Sequence, residues 1–393
     1  MKQFALAALV LALSAQAQAA PAGHRFDGRP IRVEEIDRTA RDLIARGRIP
    51  GLAVAVIDDG RVAFTGAYGY RDVEKRLPLQ TDTVMYAASL TKAAFGYLVA
   101  QLADEGVIGL DTPIDHYLPK PLPDYPAYRD LAGDERWRKL TPRILMAHGS
   151  GFANFRWLET DGKLRFHFEP GSRYAYSGEG INLMQFVLEQ GLSLKVGQEM
   201  QRRVFDRFGM TRSSMTWRPD FAGNLTTGYD ETLKPEPHDA RETVKAAGSL
   251  DTTITDYAAF LAAFARGEGL SAKGKAEALK PAVAVASAHQ FPSLIDETNP
   301  ALARIGLAGA LGWVVFKGPY GEVHYKAGHN DQTDNQAICV ARRCLLMMTN
   351  SGVGERIFPA LIGKVMGDPG VPWGWEYNPL LPLEPQAPGP VHG

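Results

Sequence analysis

Hydrophobic positions are spaced like strands at the two ends of the chain and like helices in its middle. An amphipathic helical pattern over residues 33–45 is followed by apolar runs at 51–57 and 62–68, joined by Asp58-Asp59-Gly60, a sequence typical of hairpins. Four further strand-like runs lie near the C-terminus, at 311–316, 323–326, 337–340 and 345–349. The pattern predicts an α+β fold with an antiparallel sheet flanked by helices, formed from both chain ends, and an inserted mostly helical region.

The middle of the chain carries the strongest helical patterns. Apolar helical runs are predicted at 93–102, 144–148, 179–190, 198–208 and 255–266, with a terminal helix at 356–366. From Pro369 onward the chain is rich in proline and has neither a helical nor a strand pattern. We therefore predict one domain over residues 20–370, with its sheet part at about 31–85 and 240–370 and its helical part at about 86–239, followed by a proline-rich tail at 371–393.

The first nineteen residues resemble a secretory signal peptide. Lys2 precedes an apolar run at 4–13 that is too short to span a bilayer, and Ala17-Gln18-Ala19 gives a small-residue cleavage site. We predict removal of residues 1–19 and export to the periplasm or the medium. An uncleaved N-terminal anchor is the alternative, and the cleavage site argues against it. After cleavage, no transmembrane segment is expected.

Composition excludes several classes of function. The 393 residues carry a formal net charge of -1, so there is no basic excess to bind nucleic acid. The sequence lacks a Gly-x-Ser-x-Gly elbow, a His-Glu-x-x-His zinc motif and a Walker A motif. We predict no cofactor, no metal and no nucleic-acid partner.

The two cysteines, Cys339 and Cys344, flank a predicted hairpin. If Ala341-Arg342 is its turn, the two sulfur atoms fall opposite each other. In an exported protein this arrangement suits a disulfide, while two buried thiols are the alternative.

Candidate chemistry begins with Ser89 and Lys92 in the segment Ser89-Leu90-Thr91-Lys92, which opens the helical run at 93–102. On a helix, side chains three residues apart lie on one face, so the two can meet. A serine needs a nearby base to act as a nucleophile, and a desolvated lysine can lose its proton and be that base. By itself the motif also fits a surface serine and lysine on an amphipathic helix.

Two downstream segments supply partners for such a serine. Tyr176-Ser177-Gly178 comes directly before a predicted helix, and a phenol there could relay a proton to the leaving group. Lys326-Ala327-Gly328 ends a predicted strand, where a cation can hold a substrate carboxylate or tune the tyrosine. The glycine would let a substrate approach the backbone closely.

Together these three segments resemble, in order, the motifs of the class C β-lactamase, D-Ala-D-Ala carboxypeptidase and related esterase family. Further segments are similar to this family across roughly residues 35–355, among them Leu145-Met146-Ala147-His148-Gly149-Ser150-Gly151 and Phe168-Glu169-Pro170-Gly171. The resemblance implies a β-lactamase/transpeptidase-like fold and hydrolysis through an acyl-enzyme.

The resemblance also implies roles for single residues. Ser89 would be the nucleophile, Lys92 its proton acceptor, Tyr176 the general acid/base and Lys326 an electrostatic support. The oxyanion hole would consist of the backbone N–H groups of Ser89 and His329. Substrate would also contact the positions Gly178, Ala327 and Gly328.

Two departures from the family pattern bear on the substrate. Gly178 stands where β-lactamases have the asparagine of Tyr-x-Asn, and Ala327 replaces a threonine or serine. Both remove polar contacts to a β-lactam and favour a secreted hydrolase of an ester, small amide or peptide. The alternatives are a true β-lactamase or D-Ala-D-Ala carboxypeptidase, and a penicillin-binding or sensor domain that acylates with little turnover.

Overall fold

A computed structural model describes residues 22–383 of the protein. The predicted signal peptide (residues 1–19) and the end of the predicted tail (384–393) lie outside the described residues. The strands are β1 (Gly51–Asp58), β2 (Arg61–Asp72), β3 (Leu77–Pro78), β4 (Met85–Tyr86), β5 (Gly228–Tyr229), β6 (Pro235–Glu236), β7 (Asp251–Thr252), β8 (Val283–Ala284), β9 (Ala308–Gly309), β10 (Val314–Gly318), β11 (Gly321–Asn330), β12 (Thr333–Val340) and β13 (Arg343–Thr349).

One large antiparallel sheet joins the two ends of the chain. Within residues 22–383 it has nine strands in the order β3-β2-β1-β13-β12-β11-β10-β9-β8. The N-terminal and C-terminal parts meet where β1 pairs with β13, from Leu52 opposite Thr349 to Ile57 opposite Cys344. The prediction of an α+β fold with a sheet formed from both chain ends is confirmed.

The helices are α1 (Val33–Gly47), α2 (Leu90–Asp104), α3 (Pro142–Met146), α4 (Gly178–Gly191), α5 (Val196–Met200), α6 (Ile254–Arg266), α7 (Ala272–Ala278), α8 (Pro300–Arg304), α9 (Phe358–Val365) and α10 (Trp373–Glu376). The helix predicted at 198–208 is α5 followed by a π-helical turn at Gln201–Phe205. Between β4 and β7 the chain is helical or irregular apart from the short β5–β6 pair.

Side chains of β1 alternate between two cores, one on each face of the sheet. Ala53, Ala55 and Ile57 belong to the core that contains α2, α4 and α6. Leu52, Val54 and Val56 belong to the opposite core, which contains α1 and α9. Because successive strand residues point to opposite faces, an unbroken apolar run is what a sheet covered on both faces requires.

Helix α2 is the centre of the first core. It is buried from Leu90 to Leu102, including Lys92 and Gln101. A helix that is apolar on all sides must be surrounded by protein. The single lysine in its first turn therefore lies in the interior, where its charge is costly.

The C-terminal segment departs from the prediction of a patternless tail. Residues after Pro369 form the short helix α10, in which Trp375 is 2% and Glu376 3% exposed. Four residues are too few for a periodic pattern, so this helix could not be predicted from the sequence. Its aromatic residues add to the second core.

Cys339 and Cys344 lie opposite each other in the β12–β13 hairpin, with Val340 opposite Arg343. This is the register expected from an Ala341-Arg342 turn. Their sulfur atoms are joined in a disulfide. Separately, no helix in residues 22–383 is both long and apolar enough to cross a membrane.

Candidate active site

Ser89 lies at the start of α2, half-buried at the edge of a cavity. Ala88, directly before it, has a left-handed backbone (φ 47°), and Ser89 itself is helical (φ −74°). The backbone therefore changes direction between Ala88 and Ser89, and Ser89 lies at the first turn of the buried helix. A cavity of about 160 Å³ is lined there by Ser89 and, among others, Lys92, Tyr176 and Lys326. The three motifs of the sequence therefore meet at one place.

The amine of Lys92 donates a hydrogen bond to Ser89 Oγ over 2.8 Å and another to the backbone oxygen of Ala247. Lys92 is only 1% exposed. Burial lowers the pKa of Lys92 well below its ordinary value, and the charge of Lys326 lowers that pKa further. The structure thus holds an amine that readily gives up its proton in contact with the serine hydroxyl.

Tyr176 lies close to both lysines. Lys92 Nζ is 5.0 Å and Lys326 Nζ 4.9 Å from the centre of its ring, and Lys326 Nζ approaches its hydroxyl oxygen at 3.4 Å. Burial raises the pKa of Tyr176, which a hydrogen bond with Ser89 partly offsets. The phenol is therefore protonated at neutral pH and able to donate.

His148 fixes the position of this tyrosine. Its ring stacks on Tyr176 with centres 4.3 Å apart, and its Nδ1 accepts a hydrogen bond from the Ser177 backbone N–H over 3.1 Å. Burial lowers the pKa of His148 well below its usual value, so the ring is neutral. In this structure, His148 of the family-like segment Leu145-Met146-Ala147-His148 therefore packs against and orients Tyr176.

Lys326 lies where β11 extends beyond its neighbour. The β10–β11 pairing reaches no further than Val314 opposite Tyr325, while β12 continues to pair with β11 as far as Asn330. One edge of β11 beyond Tyr325 is therefore free of β10. Lys326 is 3% exposed, and burial lowers its pKa to about 8.

Gly328 packs against the start of α2. A β-carbon on Gly328 would lie 2.6 Å from the backbone oxygen of Ala87 and 2.9 Å from the backbone nitrogen of Ser89. The glycine therefore allows β11 to approach α2 closely, and the predicted contact of its backbone with substrate stays a prediction. His329, the next residue, is exposed and packs its ring edge-on to Phe291 with centres 5.7 Å apart. The oxyanion hole of Ser89 and His329 N–H groups stays a prediction.

The space beside Gly178 is filled by protein. A β-carbon there would lie 2.3 Å from Cε1 of Phe155, whose ring stacks on Trp157 with centres 4.0 Å apart. The Phe155 ring therefore fills the place of a side chain at position 178, and the contact of substrate with Gly178 stays a prediction. Ala327, the middle residue of the motif Lys326-Ala327-Gly328, is 3% exposed and lines the cavity.

Several cavity residues carry no motif in the sequence. They are Asn154, Phe155, Gln290, Phe291 and Glu376. Asn154 Oδ1 accepts a hydrogen bond from the Gly178 backbone N–H over 3.0 Å, which ties this loop to the start of α4. No local pattern could have identified these residues, because they reach the cavity from loops and from α10. In residues 22–383 no cluster of three or more histidine, cysteine, aspartate or glutamate side chains could hold a metal.

The sequence matches the Beta-lactamase family over residues 36–360. It is 27% identical over 197 residues to a D-aminopeptidase of Gluconobacter oxydans, and the aligned residues make up 49% of this chain and 37% of that protein. It is 23% identical over 260 residues to a Beta-lactamase of Psychrobacter immobilis, covering 64% and 61%. The serine beta-lactamase-like protein LACTB of Homo sapiens is 33% identical over 121 residues, covering 30% and 21%. The matched segments thus span less than two thirds of each of these relatives.

Solved structures share the fold. A D-alanine carboxypeptidase AmpC from Burkholderia cenocepacia superposes with a TM-score of 0.68 at 18% identity, covering 85% of this chain and 98% of that one. A penicillin-binding protein homologue from Pyrococcus abyssi gives 0.64 at 19% identity, covering 81% and 73%. With the family match spanning most of its length, the chain belongs to the beta-lactamase family of serine hydrolases.

Proposed function

We propose that this protein is an exported serine hydrolase that cleaves an ester, or a small amide or peptide, through an acyl-enzyme on Ser89. One observation carries the proposal: the buried Lys92 amine contacts Ser89 Oγ at 2.8 Å, with the Tyr176 phenol beside both. A nucleophile, a base and an acid are the groups that acyl transfer needs.

Acylation then uses each group once. The neutral Lys92 amine takes the proton of Ser89 as Oγ attacks the substrate carbonyl carbon. Tyr176 protonates the leaving oxygen or nitrogen as the bond between that atom and the carbonyl carbon breaks. The charge of Lys326 stabilises the phenolate that this leaves on Tyr176. The proton held by Lys92 then returns to Tyr176, which leaves an ester on Ser89 and both partners in their starting forms.

Deacylation repeats the sequence with water. Water attacks the ester carbon and gives its proton to Lys92, and Ser89 Oγ leaves with a proton supplied by Tyr176. The acid is released, and proton return to Tyr176 completes the cycle. The rate of this second half decides whether the protein turns over or stays acylated.

Two features favour esters over β-lactams. Phe155 occupies the space where an asparagine side chain at position 178 would contact the acylamido group of a β-lactam. Ala327 offers no hydroxyl to a substrate carboxylate. A site that lacks such donors loses roughly 1–3 kcal/mol for each buried contact it fails to make.

A second candidate is a peptidase or β-lactamase, favoured by the names of the relatives, which include a D-aminopeptidase and a Beta-lactamase. A third is a penicillin-binding or sensor domain with little turnover. All three use the same acyl-enzyme, so substrate class and deacylation rate separate them.

The deciding experiment is a substrate panel with purified protein: a short-chain aryl ester, a chromogenic cephalosporin, a D-Ala-D-Ala peptide and a D-amino-acid amide. Specificity constants and the mass of the intact protein are measured together. We expect the ester to be turned over fastest. Cephalosporin hydrolysis far ahead of the ester would replace the first candidate with the second, and a stable acyl mass with little product would support the third.

Export is proposed from the N-terminal sequence alone. Expression of the full chain should yield a mature protein that begins at Ala20. Intact mass and N-terminal sequencing of the secreted or periplasmic fraction test this, and retention of Met1 on a membrane-bound form would contradict it.

A further inference from the structure

We propose that Glu376 makes this site select substrates by their charge. Its carboxylate offsets the positive charge of Lys326, so that substrates lacking a carboxylate beside the scissile bond are preferred. The inference rests on the proposed function and names its substrate class. Glu376 belongs to α10, beyond the family match at residues 36–360, and it lines the cavity together with Ser89 and Lys326.

The segment that carries Glu376 is fixed on both sides of the residue. Trp375 donates from Nε1 to Ser287 Oγ over 3.3 Å, and its backbone oxygen accepts from the Gln290 N–H over 2.8 Å. Tyr377 donates its hydroxyl to the buried Asp334 over 3.0 Å. Both neighbours are anchored in the interior, and Glu376 between them is itself only 3% exposed.

Hydrogen bonds hold the carboxylate as an acceptor. Gln290 Nε2 donates to Oε1 over 2.8 Å and the Tyr325 hydroxyl donates to Oε2 over 3.2 Å. The Gln290 amide is oriented in turn by Tyr174, whose hydroxyl donates to its Oε1 over 3.1 Å. A carboxyl group with donors on both oxygens is arranged for its ionised form.

The charges of the cavity then balance. Burial and the charge of Lys326 lower the pKa of Lys92 well below its ordinary value, so Lys326 is the more readily charged of the two lysines. Burial raises the pKa of Glu376, and the charge of Lys326 and the hydrogen bonds from Gln290 and Tyr325 act against this rise. The charge of Glu376 in turn acts against the larger lowering of the Lys326 pKa by burial, so the two groups influence each other. A substrate carboxylate placed near Lys326 would meet the carboxylate of Glu376 in a poorly solvated space.

This inference selects between the two roles that the sequence leaves open for Lys326, and it favours tuning of Tyr176 over holding a substrate carboxylate. It also gives a reason, independent of Gly178, to expect low β-lactamase activity. Penicillins, cephalosporins and D-Ala-D-Ala peptides all carry a carboxylate near the bond that is cleaved, whereas simple esters carry none.

The test compares Glu376→Gln with wild type on two aryl acetates that differ only in the leaving group, one with a free carboxylate and one with its methyl ester. We expect wild type to prefer the methyl ester, and Glu376→Gln to shift the ratio of kcat/KM values toward the free carboxylate by about tenfold or more. The matched control is Glu322→Gln, an exposed glutamate on β11, which should leave the ratio unchanged. An active, folded Glu376→Gln with the wild-type ratio overturns the inference.

A second measurement needs no variant. Phenylboronic acid and 3-carboxyphenylboronic acid form reversible adducts with an activated serine, and their inhibition constants against wild type are compared. Tighter binding of the uncharged compound supports the inference, and tighter binding of the carboxylate overturns it even if Glu376→Gln does not fold. Failure of every ester and both boronic acids to react would instead count against the proposed function.

Discussion

The ring of Phe155 lies where a side chain at Gly178 would have to be. A β-carbon on Gly178 would approach Phe155 Cε1 to 2.3 Å, well inside any ordinary contact. The two residues are therefore coupled: the Phe155 ring can take this position only because Gly178 has no side chain. The second motif and the loop before α4 determine the shape of the cavity jointly.

Gly178→Ala should destabilise the protein, because the added methyl group forces Phe155 out of its place. Overpacking of this kind costs about 1–3 kcal/mol, measured as the free energy of unfolding in urea. The matched control is Gly363→Ala in α9, where a β-carbon meets no atom within 4 Å. That change should instead stabilise by roughly 0.5–1 kcal/mol. Equal effects of the two substitutions would show that Phe155 does not occupy this space.

Restoring an asparagine requires removal of the ring. We expect Gly178→Asn alone to give a poorly packed enzyme with no gain on cephalosporins. The double variant Gly178→Asn/Phe155→Ala should improve cephalosporin hydrolysis relative to an aryl ester by about tenfold, since one buried amide contact is worth roughly 1–3 kcal/mol. Specificity constants for both substrates across the four proteins of the cycle measure the coupling. Additive effects would mean that the two positions act separately.

Ser89→Ala should reduce turnover of every substrate by about 10⁴-fold or more, because removal of the nucleophile of a catalytic group abolishes the covalent step. Its half-buried hydroxyl adds little packing, so the free energy of unfolding should hardly change. Ester hydrolysis and the intact mass after incubation with substrate provide the measurement. Ser172→Ala, an exposed serine, is the control. An acyl adduct on Ser89→Ala would point to another nucleophile.

Lys92→Met should slow acylation by about 10²-fold or more, since the general base is lost while the volume is kept. Burial lowers the pKa of Lys92 below its ordinary 10.5, so the unfolded chain binds more protons than the native state between these two pKa values. Native stability therefore falls as pH is lowered through that window, and Lys92→Met should reduce this slope. Pre-steady-state acylation and urea unfolding at pH 7 and 9 measure the two effects. A variant with a normal acylation rate would identify another base.

The pH dependence of kcat/KM should fall on the alkaline side with an apparent pKa near 8, because burial places the pKa of Lys326 at about 8. Below that pH the ammonium is charged and stabilises a phenolate on Tyr176; above it the charge is lost. Lys326→Arg keeps the charge to much higher pH and should remove this limb. The exposed Lys317→Arg should retain it. An unchanged limb in Lys326→Arg would assign it to a different group.

Local sequence determines the fold class and the central pair of this site. The unbroken apolar runs predict buried strands at both chain ends, because a two-residue repeat covered on both faces leaves no polar positions. Ser89 and Lys92 can be paired without a structure, because helical geometry fixes the direction of residues three apart. Tyr176 and Lys326 needed the family motifs in addition, since nothing local indicates that residues 150 apart will meet.

Only the tertiary structure shows which residues determine the shape of the cavity and the charges that line it. Phe155 enters beside Gly178 from a separate loop, Gly328 packs against the start of α2, and Glu376, from a segment without periodicity, lines the same cavity as Lys326. The physical reason is common to all three. Packing and electrostatics depend on distances between residues far apart in sequence, and the buried anchors that hold α10 leave no pattern in neighbouring residues. The sequence thus specifies which elements form and which motif is reactive, while the folded chain decides which space and which charge a substrate meets.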